Sequence, residues 1–378
     1  MKFNLGDFGK HKNFAPLSLT RPIACLRMGI HTNQERYALL LPDASFGFET
    51  EDYLSEKYPK IDADLLVNAC VIPNQEFIAT LLHLEENQSL YKDNLLLAKK
   101  GSGENKLIYL GNDLIIIEER WDIFKSNHNA LIQDFNYLTS ERESLPLSST
   151  NLLIGPTENL FIEKGARIEG CTLNTTSGVI YIGKNAEIME GSLIRGGLAL
   201  CESATLKMGA KIYGATTIGP FCKVGGELSN VVFQAYSNKG HDGFLGNSII
   251  GEWCNLGADT NTSNLKNNYS NVRTYSYKEN KEINTEIQFM GLSMGDFSKC
   301  AINTMFNTAT VVGVACNIFT EGFPKKHLSS FSWINNEKED ANHLDKVFEA
   351  ANNMMARRDL KLETSDRNIL KKLSLQRP

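Results

Sequence analysis

The feature that most constrains this chain is a repeat of six. From Ile182 an aliphatic residue recurs at every sixth position: Ile182, Ile188, Ile194, Leu200, Leu206, Ile212, Ile218 and Val224. Four residues after each stands Ala186, Ser192, Leu198, Ala204, Ala210, Thr216, Cys222 or Leu228, most of them small. This period matches neither the turn of an α-helix nor the alternation of a half-buried strand. It matches a parallel β-helix of hexapeptide repeats, in which three short strands make one coil, the aliphatic residue points inward and the small residue sits where the chain turns a corner. The pattern begins at Ile162 and Ile168 and resumes at Ile250 and Leu256. It returns as Met294, Cys300, Phe306, Val312 and Ile318. The repeat therefore runs over residues 152–325, and the domain is drawn over 152–335.

The longest uncharged stretch, Cys300–Thr320, lies inside this pattern. As a membrane span it would bury Asn303, Asn307 and Asn317 in lipid, which is costly. As coil faces the same residues are ordinary, because Asn and Thr can hydrogen-bond between stacked rungs. A net charge of −5 and a pI near 5.9 point away from nucleic acid as a partner. The first residues, MKFNLGDFGKHKN, have no apolar core of a signal peptide. The eight cysteines form no C-x-x-C pair, so reduced thiols in a cytoplasmic protein are expected.

Residues 1–140 read as a mixed α/β domain. Ala38–Leu41, Leu65–Cys70 and Leu114–Glu118 are expected strands. Residues 74–84, with Asn74 as N-cap, and residues 121–138 are expected helices. Residues 141–151 are a polar linker with Pro146. Residues 336–378 carry two amphipathic segments, 343–358 and 365–375, expected to cap the end of the β-helix.

A β-helix lumen is too narrow for a ligand, so chemistry is expected where the repeat breaks, at 230–248 and 262–293. Of seven histidines only His241 lies in such a break, within Ser237-Asn-Lys-Gly-His-Asp-Gly243. It suits a general base that takes a proton from an amine or hydroxyl attacking a thioester. The alternative is a solvated histidine beside an Asp-Gly turn. Cys254 falls on a regular coil position and reads as structural. Lys207 and Lys223, nearly one coil apart, read with Lys239 as a basic pocket for a phosphate, or else as solubilising lysines.

Three segments bring in a resemblance. Residues 206–221, LKMGAKIYGATTIGPF, look like the coil motif L-R-x-G-A-x-L-x-x-G-A-x-I-G-x-F of the bifunctional bacterial UDP-N-acetylglucosamine pyrophosphorylase / glucosamine-1-phosphate N-acetyltransferase family. Residues 241–246, HDGFLG, are similar to its H-L-x-Y-x-G. Residues 255–264, NLGADTNTSN, are similar to its N-I-G-A-G-x-x-x-x-N. The whole chain resembles a shortened variant of that family, a sugar nucleotidyltransferase with hexapeptide repeats. Residues 16–29 (PLSLTRPIACLRMG) and 295–307 (GDFSKCAINTMFN) are its further signatures.

The resemblance implies a left-handed β-helix and a homotrimer with sites between subunits. It implies His241 as catalytic base, Lys207 on a sugar phosphate, Asn255 and Asn264 on the sugar, and Ala258 beside acetyl-CoA; the family's second phosphate-binding Lys meets Gly225 or Ser229 here, and Lys223 is the candidate to take its place. The implied reaction is acetyl transfer to an amino-sugar phosphate, glucosamine 1-phosphate above others. The nucleotidyltransferase reading, with the β-helix as an assembly scaffold, is the alternative. Departures fall on Lys207 (the family's Arg), Phe244 (its Tyr, without the hydroxyl) and Lys266 (its Asp). The N-terminal domain lacks the G-x-G-T-R-M loop. Arg21 and Arg27 remain as nucleotide-binding candidates, and the resemblance leaves room for Mg²⁺ in that domain with no Asp assignable to it.

Overall fold

A computed structural model of the chain describes residues 1–336 and 338–376; the remainder of the expected 336–378 segment lies outside the described residues. The period of six is realised as a parallel β-solenoid. Inward residues stack one coil upon the next: Ile188 on Leu206 on Val224, Ile182 on Leu200 on Ile218, Ile194 on Ile212 on Leu228. All of them are buried in one continuous apolar core that runs to Ile318, Leu328 and Ile334. The Cys300–Thr320 stretch forms coil strands within it. No described helix is long and apolar enough to cross a membrane.

The two breaks differ. Residues 262–293 form a true insertion, which carries the hairpin Arg273–Ser276 with Lys281–Asn284. Residues 230–248 do not: they belong to a contracted coil. Strands Glu227–Phe233, Asn238–Lys239 and Phe244–Ile250 pair in register with the coils on either side. The coil is shorter than its neighbours, so the period is lost in the sequence while the stacking is kept.

The N-terminal domain has a six-stranded mixed sheet in the order Ser45–Glu49, Lys2–Gly6, Leu65–Asn68, Leu95–Lys100, Gln88–Lys92, Asn105–Ile108. Its helices are α1 (Asn33–Leu40), α2 (Gln75–Leu82), α3 (Asp122–Lys125) and α4 (Asn127–Thr139). Asn74 caps α2 through the Phe77 amide at 2.8 Å, as expected. Residues 38–41 do not form a strand. Thr32 and Glu35 make a reciprocal capping box, with Glu35 N to Thr32 Oγ1 at 3.1 Å and Thr32 N to Glu35 Oε2 at 2.7 Å. That local start carries helix through the apolar run. The expected helix over 121–138 breaks at Ser126 into α3 and α4.

This domain lies along one whole side of the solenoid. The outward ladder Phe161, Tyr181, Ala199, Thr217, Val232, Ile249 is buried against it. Val232 and Ile249 join the N-terminal core itself. The C-terminal helices α5 (Leu344–Ala356) and α6 (Thr364–Ser374) pack on a lateral corner, with Trp253, Phe297, Ala315 and Phe331 beneath Val347, Ala351, Ile369 and Leu370. They therefore do not cap the solenoid end as expected. The corner is apolar because one residue per coil, in left-handed conformation, points outward there, and the aromatics among them stack. Phe221 lies on Tyr236 at 5.1 Å and Tyr236 on Trp253 at 4.3 Å, nearly parallel. An exposed aromatic ladder needs a cover, and two amphipathic helices supply it.

Candidate functional site

The solenoid thus has one side under the N-terminal domain, one corner under α5 and α6, and a face beside that corner which is concave. Its strands carry an outward ladder of Thr205, Lys223, Asn238, Asn255, Lys299 and Asn317, one per coil. Rungs are spaced by about 4.8 Å, so the polar row from Lys223 to Lys299 spans roughly 14 Å. The wall of α5 turns this face into a cavity of about 810 Å³. Lys207, Lys223, His241, Asn255 and Ala258 all line it.

Lys207 and Lys223 are not in register. Lys223 pairs with Thr205, and Lys207 follows Leu206 to lie against Gly225. Both nonetheless project from the same face. Three further cations line the cavity that the sequence did not suggest: Lys299 from the coil, and Arg357 and Arg358 from the end of α5. No carboxylate lies among the lining residues. Burial lowers the Lys223 ammonium from its ordinary range, and Arg358, Lys207 and Arg357 push it the same way against Glu187, two rungs back on the ladder. Burial lowers Lys299 likewise. Unneutralised like charges around a walled space fit a ligand with several negative charges. Arg358 is anchored by donating to the Phe221 carbonyl at 3.2 Å and lies over the Phe221 ring. Gly219-Pro-Phe221, Gly251-Glu-Trp253 and Gly295-Asp-Phe297 place an aromatic at the same corner of the solenoid, but nothing local in the sequence says which distant segment covers it. Asn238 Oδ1 is buried in the row without a hydrogen-bond partner and is a ready acceptor.

His241 is exposed on the turn between Lys239 and Phe244. Gly243 makes that turn close: its φ is +112°, and a Cβ there would meet the Thr260 carbonyl oxygen at 2.2 Å. Cys254 Sγ donates inward to the Gly295 carbonyl at 3.2 Å, and burial pushes the thiol well above its ordinary range, which is the state of a structural residue.

The structure does not bring Asn264 and Phe244 into this cavity. Phe244 belongs to a third, open side of the solenoid, with Leu193, Lys211 and Glu227. Asn264 lies beside it, flanking Gly246 and donating to Asn247 Oδ1 at 2.8 Å. Lys239 is also absent from the cavity. It points into the solenoid.

Arg21 and Arg27 are not free to hold a nucleotide. Arg21 is 5% exposed and donates to Glu252 and Asp296 of the solenoid, and Asp296 also accepts from Thr20 Oγ1 at 2.7 Å. Arg27 donates through its backbone N to Gln234 Oε1 at 2.6 Å and through Nη2 to Glu35 at 2.9 Å. These arginines join the domains. The Gly6-Asp-Phe-Gly9 loop ends the central parallel strand, where an open α/β sheet would place a ligand. There Asp7 is buried against His11 Nδ1 at 2.7 Å and accepts from the Ile23 amide at 3.0 Å. Among the described residues no cluster of three or more His, Cys, Asp or Glu is placed to hold a metal ion, so no step is derived through Mg²⁺.

A family model described as sugar nucleotidyl transferase matches residues 5–143. No curated protein matches the chain. A nucleotidyltransferase-type segment followed by a parallel β-solenoid is the domain pairing of a transferase.

Proposed function

We propose that the chain is an acetyl-CoA-dependent N-acetyltransferase that acts on an amino-sugar phosphate, glucosamine 1-phosphate above others. One observation carries this reading: His241 opens on a carboxylate-free cavity with Lys207, Lys223, Asn255 and Ala258. The sugar phosphate is held by Lys207 and Lys223 and the sugar by Asn255. The amine attacks the thioester carbonyl carbon, so a C–N bond forms and the C–S bond breaks. His241 accepts the proton that the amine loses and passes it to the departing thiolate. The cofactor's phosphates take Lys299, Arg357 and Arg358, and its acetyl end lies near Ala258. Asn264 and Phe244, on the open side, reach a substrate only across a subunit boundary, as in a homotrimer. The test mixes the purified protein with acetyl-CoA and glucosamine 1-phosphate and follows free thiol. Absence of turnover in the wild type would sink the reading, as would unchanged turnover in His241→Ala.

A second reading, nucleotidyl transfer, is favoured by the family match over residues 5–143. It predicts pyrophosphate release from UTP and a sugar 1-phosphate. Because Arg21 bridges the domains, Arg21→Ala reports on their docking rather than on nucleotide binding. Release of pyrophosphate by the wild-type protein is the measurement that bears on this reading.

A further inference from the structure

The inward stack Leu206, Val224, Leu256, Cys300, Ile318 is interrupted once. In the contracted coil its place is taken by Lys239, which pairs with Val224 and is 1% exposed. An ammonium in an aliphatic lumen is costly unless its donors are satisfied. Here all three have partners. Nζ donates to the carbonyls of His241 at 2.9 Å, Asp242 at 3.1 Å and Gly225 at 3.3 Å. Two of these acceptors belong to the turn that displays His241, and the third to the coil before it. The surroundings are shaped to this ammonium. Gly226, at φ +78°, lies so close that a Cβ would stand 3.0 Å from Nζ.

We infer that Lys239 is a positioning residue that ties the turn bearing His241 to the solenoid from inside. The turn is short, exposed and without strand pairing; its far end is held where Glu227 N donates to the Gly243 carbonyl at 3.2 Å, and the His241 and Asp242 carbonyls before it are held by Lys239. The ammonium converts three carbonyl orientations into one site geometry, and so sets where the imidazole stands. The neutral amine has only two N–H groups and a lone pair, so one of the three carbonyls loses its donor on deprotonation. Burial pushes Lys239 down to about 8, with Asp242 on its own turn, Asp259 on the next coil and Cys300 two coils on acting in the opposite direction. The turn is therefore held firmly at neutral pH and loosens as the pH rises past about 8.

The catalytic consequence rests on His241 being the base, whereas the structural one does not. The test substitutes Lys239→Met, which returns an apolar side chain to the stack. Crystal structures of the wild type and the variant near neutral pH, and of the wild type near pH 9.5, would be compared. The expected result is an unchanged solenoid with residues 240–243 displaced by about 1 Å or more in both perturbed cases. Displacement on that scale costs about 10–100-fold in kcat while the KM for acetyl-CoA changes little. The alkaline fall of the wild-type rate profile would be missing from the variant. A turn that stays in place in both structures overturns the inference, as does a variant with the wild-type kcat and alkaline limb. If the variant does not fold, the wild type at the two pH values decides alone. If the wild type shows no acetyl transfer, the displacement still decides, and the two failures remain distinct.

Discussion

The solenoid and the N-terminal domain both carry sequence signatures, and the two signatures ended in opposite roles. Within residues 206–264, Lys207, Lys223, His241 and Asn255 stand on an outer face and converge on open space. The signature of residues 16–29 is buried. Thr20 and Arg21 bond to solenoid residues Asp296 and Glu252, and Arg27 bonds both to Gln234 of the solenoid and to Glu35 of its own domain. The difference lies in what each backbone leaves exposed. A coil must turn its odd positions outward, so a polar residue there is available to a ligand. A 3₁₀-rich segment wedged between two bodies, as at Leu17–Thr20 and Ile23–Cys25, has no outer face. A motif therefore reports a site only when the fold leaves its side chains free.

The largest effect is expected from His241→Ala, which should lower kcat for acetyl transfer by ~10²–10⁴-fold with little change in melting temperature. If Arg21→Ala matched that loss without altering stability, the two regions would not differ as argued. Arg21→Ala is expected instead to act on folding. Removing one partner of a buried ion pair costs about 3–5 kcal/mol, read from denaturant unfolding, because Asp296 is left buried without its cation. Next in size, Arg357→Ala or Arg358→Ala should raise the KM for acetyl-CoA by roughly tenfold and weaken its salt dependence, each loss being that of one charge-assisted contact. An unchanged KM would return α5 to a purely covering role.

The smallest effect concerns pH. Lys239 has a folded-state value of about 8, below the ordinary 10.5 of an unfolded lysine. Between these values the unfolded chain binds more protons, so the contribution of Lys239 to global stability rises with pH across that window. Below about 8 the cost of burying the ammonium is fully present. Lys239→Met should therefore gain most over the wild type below pH 8, and the difference should shrink toward pH 10.5. A difference independent of pH would place the ammonium in water and contradict the burial described above.

The legible part of the fold was the part that repeats. Ile182 through Val224 and Met294 through Ile318 were assigned to the solenoid interior from spacing, and each lies there. Asn74 was read as a cap from its local chemistry. Ala38–Leu41 was misread because an apolar run is shared by strand and helix, and the Thr32–Glu35 capping box decided between them. In the site, a spacing of about one turn brings Lys207 and Lys223 to one face, the break in the repeat singles out His241, and Asn255 and Ala258 rest on the resemblance. Asn264 and Phe244 fell on another side of the same coils. Arg357 and Arg358 were not legible, since nothing local says on which corner a distant helix will lie.

Spacing along the chain is enough to assign the solenoid and the residues of its interior. A period of six is a local rule applied coil after coil, and errors in it do not accumulate. Tertiary structure alone decided that residues 230–248 are a shortened coil, that Lys239 turns inward to hold the His241 turn, that α5 brings two arginines, and that Arg21 and Arg27 join domains. These depend on which surfaces meet across long separations in the chain. That choice is made by the burial of apolar ladders and the pairing of buried charges, which no periodicity encodes.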